Sequence, residues 1–582
     1  MKPISYSSDD RKRIAIIGGG PSGLFMYKHL IESGETNIEI HIFEKNGSLG
    51  PGMPYSKDGA NSEHITNVSD NEIPQIVTHI KDWIQDAPKD LLEQFNIDPK
   101  RFNEYKVLPR LFFGQYLAAQ FNLLKANADE KDILTTLHLH TIVSDIMDHS
   151  EMGKISIETK DKQQLQFDHV VICTGHYWPK KHEGKVHGYY DSPYPPSKLA
   201  LKLNHAVALR GSSLTAIDAI RTLARHNGTF EKDENDFLKY TLNERSENFK
   251  IIMHSRSGFL PAIRFHLEDS HLRNDSLLTT EEIANHIKEN NGFLSLDYIF
   301  EKDFKDIFKK KDPEFYQQIK NMNIETFVEK MMALRERVEP FHLFKAEYKE
   351  AEKSIKRHES VYWKEMLAIL SFAMNYPAKY LSAEDMMRLQ KELLPLISLV
   401  IAFVPQSSCK ELMALHDAGL LEIVAVGLDN EIEMKEEGGI VYHYKDDGHE
   451  KRSVKYSTFI DCVGQAHLSY NDFPFKSLLS QKAISPAKLK FKSKDAGAEA
   501  LKNESAKVSK DHKGDFYMDV PGITINDNFQ VIDPYGAYNN RIYIMAIPYI
   551  GGYNPDYSGL DFCEEASCRI TNSLFHLDKT NS

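Results

Sequence analysis

Cysteine is scarce: five in 582 residues, at positions 173, 409, 462, 563 and 568, with no Cys-x-x-Cys among them. An odd, scattered set of this kind excludes a disulfide-stapled scaffold, a zinc ribbon and a relay built on a vicinal dithiol. Long apolar runs are missing too. The longest, 393–404, is interrupted by Pro395 and Ser398 and falls short of the ~20 residues that cross a bilayer. The opening stretch MKPISYSSDDRKR has no apolar core of a signal peptide, so we expect a cytoplasmic protein that does not engage a membrane. Positive charge is outnumbered, with 71 Lys and Arg against 84 Asp and Glu and a net charge of −13. That balance argues against nucleic acid as a partner. The 25 histidines have no Cys, Asp or Glu arranged around them at ligand spacing, so no metal site is expected.

What the chain does contain is a strand–turn–helix unit near its start. Residues 13–17 are an apolar strand, followed by Gly18-x-Gly20-x-x-Gly23 and then apolar residues at helical spacing through Ile31. The first glycine permits a tight turn, the second lets a diphosphate reach the backbone, and the third lets helix and strand pack closely. The helix start then offers N–H donors and a positive dipole end to an anion. A second strand, 38–43, ends at Glu44, 21 positions after Gly23. A carboxylate there suits the hydroxyls of an adenosine ribose.

A second unit of the same form begins at 206, with Gly211-Ser-Ser213-Leu214-Thr215-Ala216 in place of the three glycines. Its next strand, 250–254, leads into Ser255-Arg256-Ser257 and carries no acid at the ribose position. An arginine flanked by serines suits a 2′-phosphate, hence NADPH. Three further strings carry close-approach residues: Gly50-Pro-Gly52-Met53-Pro54-Tyr55, the strand end Thr174-Gly175, and Gly551-Gly552-Tyr-Asn554 ahead of a final helix. His176, just beyond Gly175, stands either beside the cofactor or in solvent.

Between the two halves of the second unit, 268–400 changes character. It is rich in Lys, Glu, Met and Leu at helical spacing, with capping signals at Thr279 to Glu282 and Ser382 to Asp385. It reads as a helical insertion with a partner-binding or lid role, and the run Lys309 to Lys311 as a solvated helix face. The expected fold is α/β: two Rossmann-like dinucleotide-binding domains with a helical insertion. The expected division is 1–200 and 466–582 for the first domain, 201–267 and 401–465 for the second, and 268–400 for the insertion.

With these strings in order, the chain resembles the bacterial FAD/NAD(P)-binding flavoproteins, and more distantly the class B flavin monooxygenases. The likeness spans 11–265 and 400–575 and rests on Gly18, Gly20 and Gly23 with Glu44, then Gly50-x-Gly52-x-Pro54-Tyr55 and Asn67. It continues through Pro109-Arg110 with Gly114-x-Tyr116, Thr174-Gly175-His176, 211–218 and Ser255 to Gly258. The resemblance implies FAD held by residues 18–23, including Ser22, with Glu44 and Lys45. It implies Asn67 and the Met53-Pro54-Tyr55 loop near the isoalloxazine, and Arg110 near the phosphates or the nicotinamide. Thr174, Gly175, Gly552 and Asn554 would approach the flavin. NADPH would lie on Gly211, Ser213, Leu214, Thr215 and Arg256. The activity it implies is NADPH-driven oxygen insertion through flavin C4a, with O₂ and a small polar amine or amino acid as substrates. Two alternatives stay open: a flavin reductase without oxygen insertion, and a flavin-bound interaction protein.

Overall fold

The computed structural model describes residues 11–268, 277–375, 377–446, 448–465, 467–503, 506–555 and 559–576. The first unit opens with β1 (Lys12–Ile17), whose residues 14–17 are buried. It turns into α1 (Pro21–Glu32), with Pro21 at the first helical position, where its missing N–H goes unneeded. β2 (Ile38–Phe43) returns parallel, Ile14 beside Ile40 and Ile17 beside Phe43. α2 (Arg110–Glu130), β3 (Leu134–His138) and β4 (His169–Ile172) follow. The second unit holds β5 (Tyr189–Tyr190), β6 (Ala206–Arg210), α3 (Leu214–Asn227) and β7 (Lys250–Ser255). After the helical segment come α4 (Gln406–Asp417), β8 (Leu421–Ala425) and β9 (Thr458–Asp461). The chain then rejoins the first unit through β10 (Gln530–Ile532), β11 (Tyr538–Ile544) and α5 (Leu560–Phe575).

Two sheets result. The first runs β10-β11-β4-β1-β2-β3, parallel except for the β10–β11 pair. The second runs β5-β9-β6-β7-β8 and is parallel throughout. In the first, β2 and β4 flank β1 on opposite sides, so connections diverge at its carboxyl end and leave a crevice there. The α/β class with two Rossmann-like units and a helical insertion is therefore what the chain adopts.

Three local features go beyond the sequence reading. The segment 71–125 is framed by a short antiparallel pair, Ile65–Ser69 with Val107–Pro109. The β-type stretch 136–146 divides between two sheets, because His140 takes a left-handed conformation (φ +53°) and breaks it. Its first part is β3, and Val143–His149 instead opens a three-stranded antiparallel sheet. A hairpin, Gly228–Lys232 with Leu238–Leu242, follows α3 without having been foreseen.

The helical segment begins at the foreseen capping box. Thr279 Oγ1 accepts from Glu282 N–H (3.2 Å), and Glu282 Oε2 accepts from Thr279 N–H (2.8 Å). The segment is not a detached lid. Leu294, Ile299, Phe300 and Phe304 share one continuous core with the first unit, and Phe341, Phe344 and Tyr348 join the core of the second. Tyr380 donates to Asp527 (2.7 Å), and Glu384 accepts from the N–H groups of Lys492 and Ser493 (3.0 and 2.8 Å). Among the described residues no helix is long and apolar enough to cross a membrane.

The two nucleotide units meet across buried polar groups. Arg110, at the start of α2, donates from Nη1 to Asp218 of α3 (2.6 Å) and from Nε to the Ile65 carbonyl (3.1 Å). Tyr194 donates to the same Asp218 oxygen (2.8 Å). His64 is fully buried; its Nδ1 accepts from Asn61 N–H (3.1 Å), so Nε2 holds the proton that faces the Asp218 carbonyl and Thr222 Oγ1. Arg264 supplies a second tie, donating to Glu72, to Ser69 Oγ (2.7 Å) and to the Asn67 carbonyl.

Burial pushes the Asp218 carboxyl up, but the Arg110 guanidinium, His64 and the Tyr194 hydroxyl outweigh it and hold the carboxyl below its ordinary range. The resulting stabilisation is full above the unfolded carboxylate value, about 3.9, and is lost as pH falls through the lower folded value. Arg110→Met should lower stability at pH 7 by about 3–5 kcal/mol, because it strands a buried carboxylate, and adding Asp218→Leu should recover most of that loss. Urea denaturation of the three variants checks this; a single-mutant loss below about 1 kcal/mol would mean the pair does not tie the units together.

Candidate functional site

A cavity opens at the carboxyl end of β1. Its walls come from the glycine turn (Gly18, Gly20, Ser22), the end of β2 (Glu44, Lys45), the following loop (Gly52, Met53, Tyr55) and the end of β4 (Thr174, Gly175, His176). Met545, Ile547, Leu560, Phe562 and Cys563 close it from the C-terminal part of the chain. Residues more than 500 positions apart thus share one site.

The glycine turn is shaped by backbone. Gly18 sits at φ +112°, and a side chain there would also meet the Cys173 carbonyl oxygen at 2.6 Å. Gly20 and Gly52 face one another so closely that a Cβ on Gly20 would lie 3.2 Å from the Gly52 Cα. The Gly50 N–H donates to the Gly19 carbonyl (2.7 Å), which docks the second loop on the first. Gly23 is buried in the first turn of α1. No side chain caps α1 or α5, so their first-turn N–H groups are available to an anion at the cavity.

Glu44 is buried, its Oε2 accepting from Gly19 N–H and its Oε1 from Asn46 N–H, both at 2.8 Å. Each carboxylate oxygen keeps a further lone pair for a ribose hydroxyl. Thr174 Oγ1 and, just beyond, His176 Nδ1 are buried without a hydrogen-bond partner. A cradle that a Cβ would fill, uncapped helix starts, a ribose-facing carboxylate and unpaired polar atoms together fit a flavin adenine dinucleotide. Cys173 and Cys563 also line the site, but burial pushes the Cys173 thiol well up and the Cys563 thiol to about 12.

The second unit repeats the first turn. Gly211 takes φ +109°, close to the +112° of Gly18. Ser213 stands at the N-cap of α3 without capping it, and Leu214 and Thr215 begin the helix. Arg256 is exposed past the end of β7. Arg210 reaches Asp461 of β9 (3.2 Å), which accounts for an arginine at the close of a buried strand.

Five residues expected at the FAD site stand away from the cavity wall, Gly23 among them in the first turn of α1. Arg110 is taken up by Asp218, and Asn67 offers its carbonyl to Arg264. Gly552 packs against Val520, and Asn554 is buried in the same turn, its Nδ2 without a partner. Met545, Ile547 and the start of α5 line the site in place of these last two. Asp556, which the sequence places shortly before the final helix, lies outside the described residues. Cys563 and Phe562 gave no signal in sequence, since only the fold returns α5 to α1, where Lys28 pairs with Glu564 (2.9 Å).

Gly20→Val should abolish retention of FAD by placing a branched side chain between Gly20 and Gly52. The ratio of visible to ultraviolet absorbance of the purified variant reports it, with circular dichroism confirming the fold. A folded variant with full flavin content would contradict the assignment of this turn.

Residues 15–177 match the FAD-NAD(P)-binding family model, and residues 279–401 match the YdhS-like middle domain. A curated relative, Uncharacterized protein YdhS of Escherichia coli (strain K12), is 28% identical over 476 residues, 81% of this chain and 86% of its own length. The thiol-specific monooxygenase of Saccharomyces cerevisiae (strain ATCC 204508 / S288c) is 28% identical over 177 residues, 29% of this chain and 35% of its own. Among solved structures, the FAD-bound cadaverine monooxygenase DfoA of Erwinia amylovora is 12% identical, with a TM-score of 0.44 over 97% of this chain and 94% of that one. Glycine cradle and matched model agree: residues 15–177 form an FAD/NAD(P)-binding domain, and a YdhS-like middle domain is set within the second Rossmann-like unit.

Proposed function

We propose that the protein is an FAD-dependent, NADPH-using monooxygenase acting on a small polar amine or amino acid. Bound FAD would supply the redox chemistry, accepting hydride from NADPH and passing electrons to O₂. The chain's own part is binding, orientation and exclusion of water. Residues 18–23 and the α1 N-terminus hold the flavin diphosphate, and Glu44 and Lys45 hold its adenosine end. Met53, Tyr55 and Phe562 supply apolar wall that keeps water from the reacting face. Gly211, Ser213, Leu214 and Thr215 hold the NADPH diphosphate, and Arg256 its 2′-phosphate.

The observation that carries the oxygenase reading is the state of the thiols. All five cysteines are free. Burial pushes every one of them up: Cys173, Cys409, Cys462 and Cys568 above their ordinary value, and Cys563 to about 12. A thiol–disulfide relay runs on thiolates, so the dithiol route out of the flavin is closed and the electrons go to an acceptor from outside the chain, in this reading O₂. The partial likeness to a thiol-specific monooxygenase supports the same reaction type. The amine or amino acid follows from the resemblance to N-hydroxylating flavoproteins.

The reading is tested by supplying NADPH and isotopically heavy O₂ with a panel of small amines and amino acids. One heavy oxygen atom in the product for each NADPH consumed is the expected result. NADPH consumption that yields only hydrogen peroxide across the panel would favour a reductase. Arg256→Ala should raise KM for NADPH by about tenfold or more, the loss of one charge-assisted contact, and leave KM for NADH nearly unchanged. Steady-state kinetics with both nucleotides check this, and equal changes would remove the 2′-phosphate role.

A further inference from the structure

Residues 174–178 leave β4 in a non-helical run whose exposure alternates. Thr174, His176 and Trp178 are sheltered, whereas Gly175 and Tyr177 are exposed. The backbone of the run is fastened at Tyr177, whose N–H donates to Gln465 Oε1 (2.6 Å) and whose carbonyl accepts from Gln465 Nε2 (2.8 Å). The sheltered edge is not fastened. Thr174 Oγ1, His176 Nδ1 and Trp178 Nε1 are each buried without a partner. An unmade buried hydrogen bond costs about 1–3 kcal/mol, and folded proteins carry few of them. Three in five residues, starting at a cavity wall, point to a ligand.

The chemistry of the last two is complementary. Burial pushes the His176 ring down, so it is neutral, and its hydrogen bond to the Gln465 side chain opposes this only in part. Nδ1 has no partner, and the tautomer with its proton on Nε2 leaves Nδ1 as a bare acceptor. The indole N–H of Trp178 is a donor only. The two rings lie 5.6 Å apart between centroids, and Trp178 in turn lies 5.2 Å from Tyr194, whose hydroxyl bonds Asp218 of α3. The strip therefore runs from the flavin cavity to the second nucleotide unit.

We propose that His176 Nδ1 and Trp178 Nε1–H form a two-point receptor for an amide edge, the imidazole accepting its N–H and the indole donating to its C=O. An amide carries these groups on neighbouring atoms and reaches partners about 3 Å beyond each, a span in keeping with rings 5.6 Å apart. The inference rests on the FAD and NADPH reading above, and two cofactor edges have this chemistry: the nicotinamide carboxamide and the pyrimidine edge of the flavin. The position of Trp178, toward the second unit, favours the carboxamide.

Calorimetry on the flavin-loaded protein separates the cases, using NADP⁺ and its 3-acetylpyridine analogue, which keeps the C=O and lacks the N–H. The wild type should bind NADP⁺ about tenfold more tightly than the analogue, the cost of one unpaired buried acceptor. His176→Phe should bind both alike, and His176→Asn, which restores an acceptor, should regain the preference. Trp178→Phe should weaken both ligands to the same extent. If the preference survives in His176→Phe while FAD affinity of its apoprotein falls about tenfold, again one such bond, and returns in His176→Asn, the receptor stands and its edge is the flavin's. Unchanged preference together with unchanged FAD affinity would overturn the receptor. Absence of any saturable NADP⁺ binding by the wild type would overturn the NADPH reading, and the FAD measurements would still decide whether the receptor exists.

Discussion

Arg110 and Asp218 stand 108 positions apart, the carboxylate buried and the guanidinium half-buried, and their 2.6 Å contact joins the helix behind the first cavity to the helix that opens the second nucleotide turn. α2 leans on the loop that closes the first cavity, with Phe113 against Tyr55 at 4.8 Å. α3 begins at Ser213, immediately after the second turn. Fixing one helix start on the other therefore fixes the distance and angle between the first cavity and the second glycine turn. Hydride can pass between two bound rings only when both are placed to within a fraction of an ångström. A buried, hydrogen-bonded ion pair gives such placement at the cost of desolvating both charges, and it is rigid because either charge alone would be stranded.

Other features depend on that placement. Tyr194 adds a hydroxyl to Asp218 and stacks toward Trp178, so the strip leaving β4 is set against the second unit. Arg264 repeats the device nearby through Glu72 and Ser69. The helical middle segment buries residues in both cores, which makes it a brace across the molecule. Four of the five thiols are sealed by the same packing, and burial pushes the two at the flavin site, Cys173 and Cys563, up, so that site works with backbone, hydroxyl, imidazole and carboxylate groups.

Local pattern made much of this legible. β1, the glycine turn and β2 could be read to within a residue, because strand alternation, turn glycines and the following acid all act over short range. The capping box at Thr279 was readable for the same reason. Long-range pairing was not. Nothing near Arg110 announces Asp218, so its charge was read as lying near the phosphates or the nicotinamide. Asn67 was expected near the isoalloxazine, and in the fold its carbonyl accepts from Arg264. The C-terminal wall was placed at Gly552 and Asn554, but α5 starts later and brings Leu560, Phe562 and Cys563 instead. The run Thr174-x-His176-x-Trp178 did carry a period-2 signal, short enough to pass for loop.

The central claim is that the crevice at the end of β1 holds one FAD per chain. Releasing the bound chromophore from the purified wild-type protein by heat, and identifying and counting it by chromatography and mass, tests this most directly. The account predicts FAD at one equivalent per chain after reconstitution. A protein that takes up no flavin, or takes up the mononucleotide as readily as the dinucleotide, would contradict it.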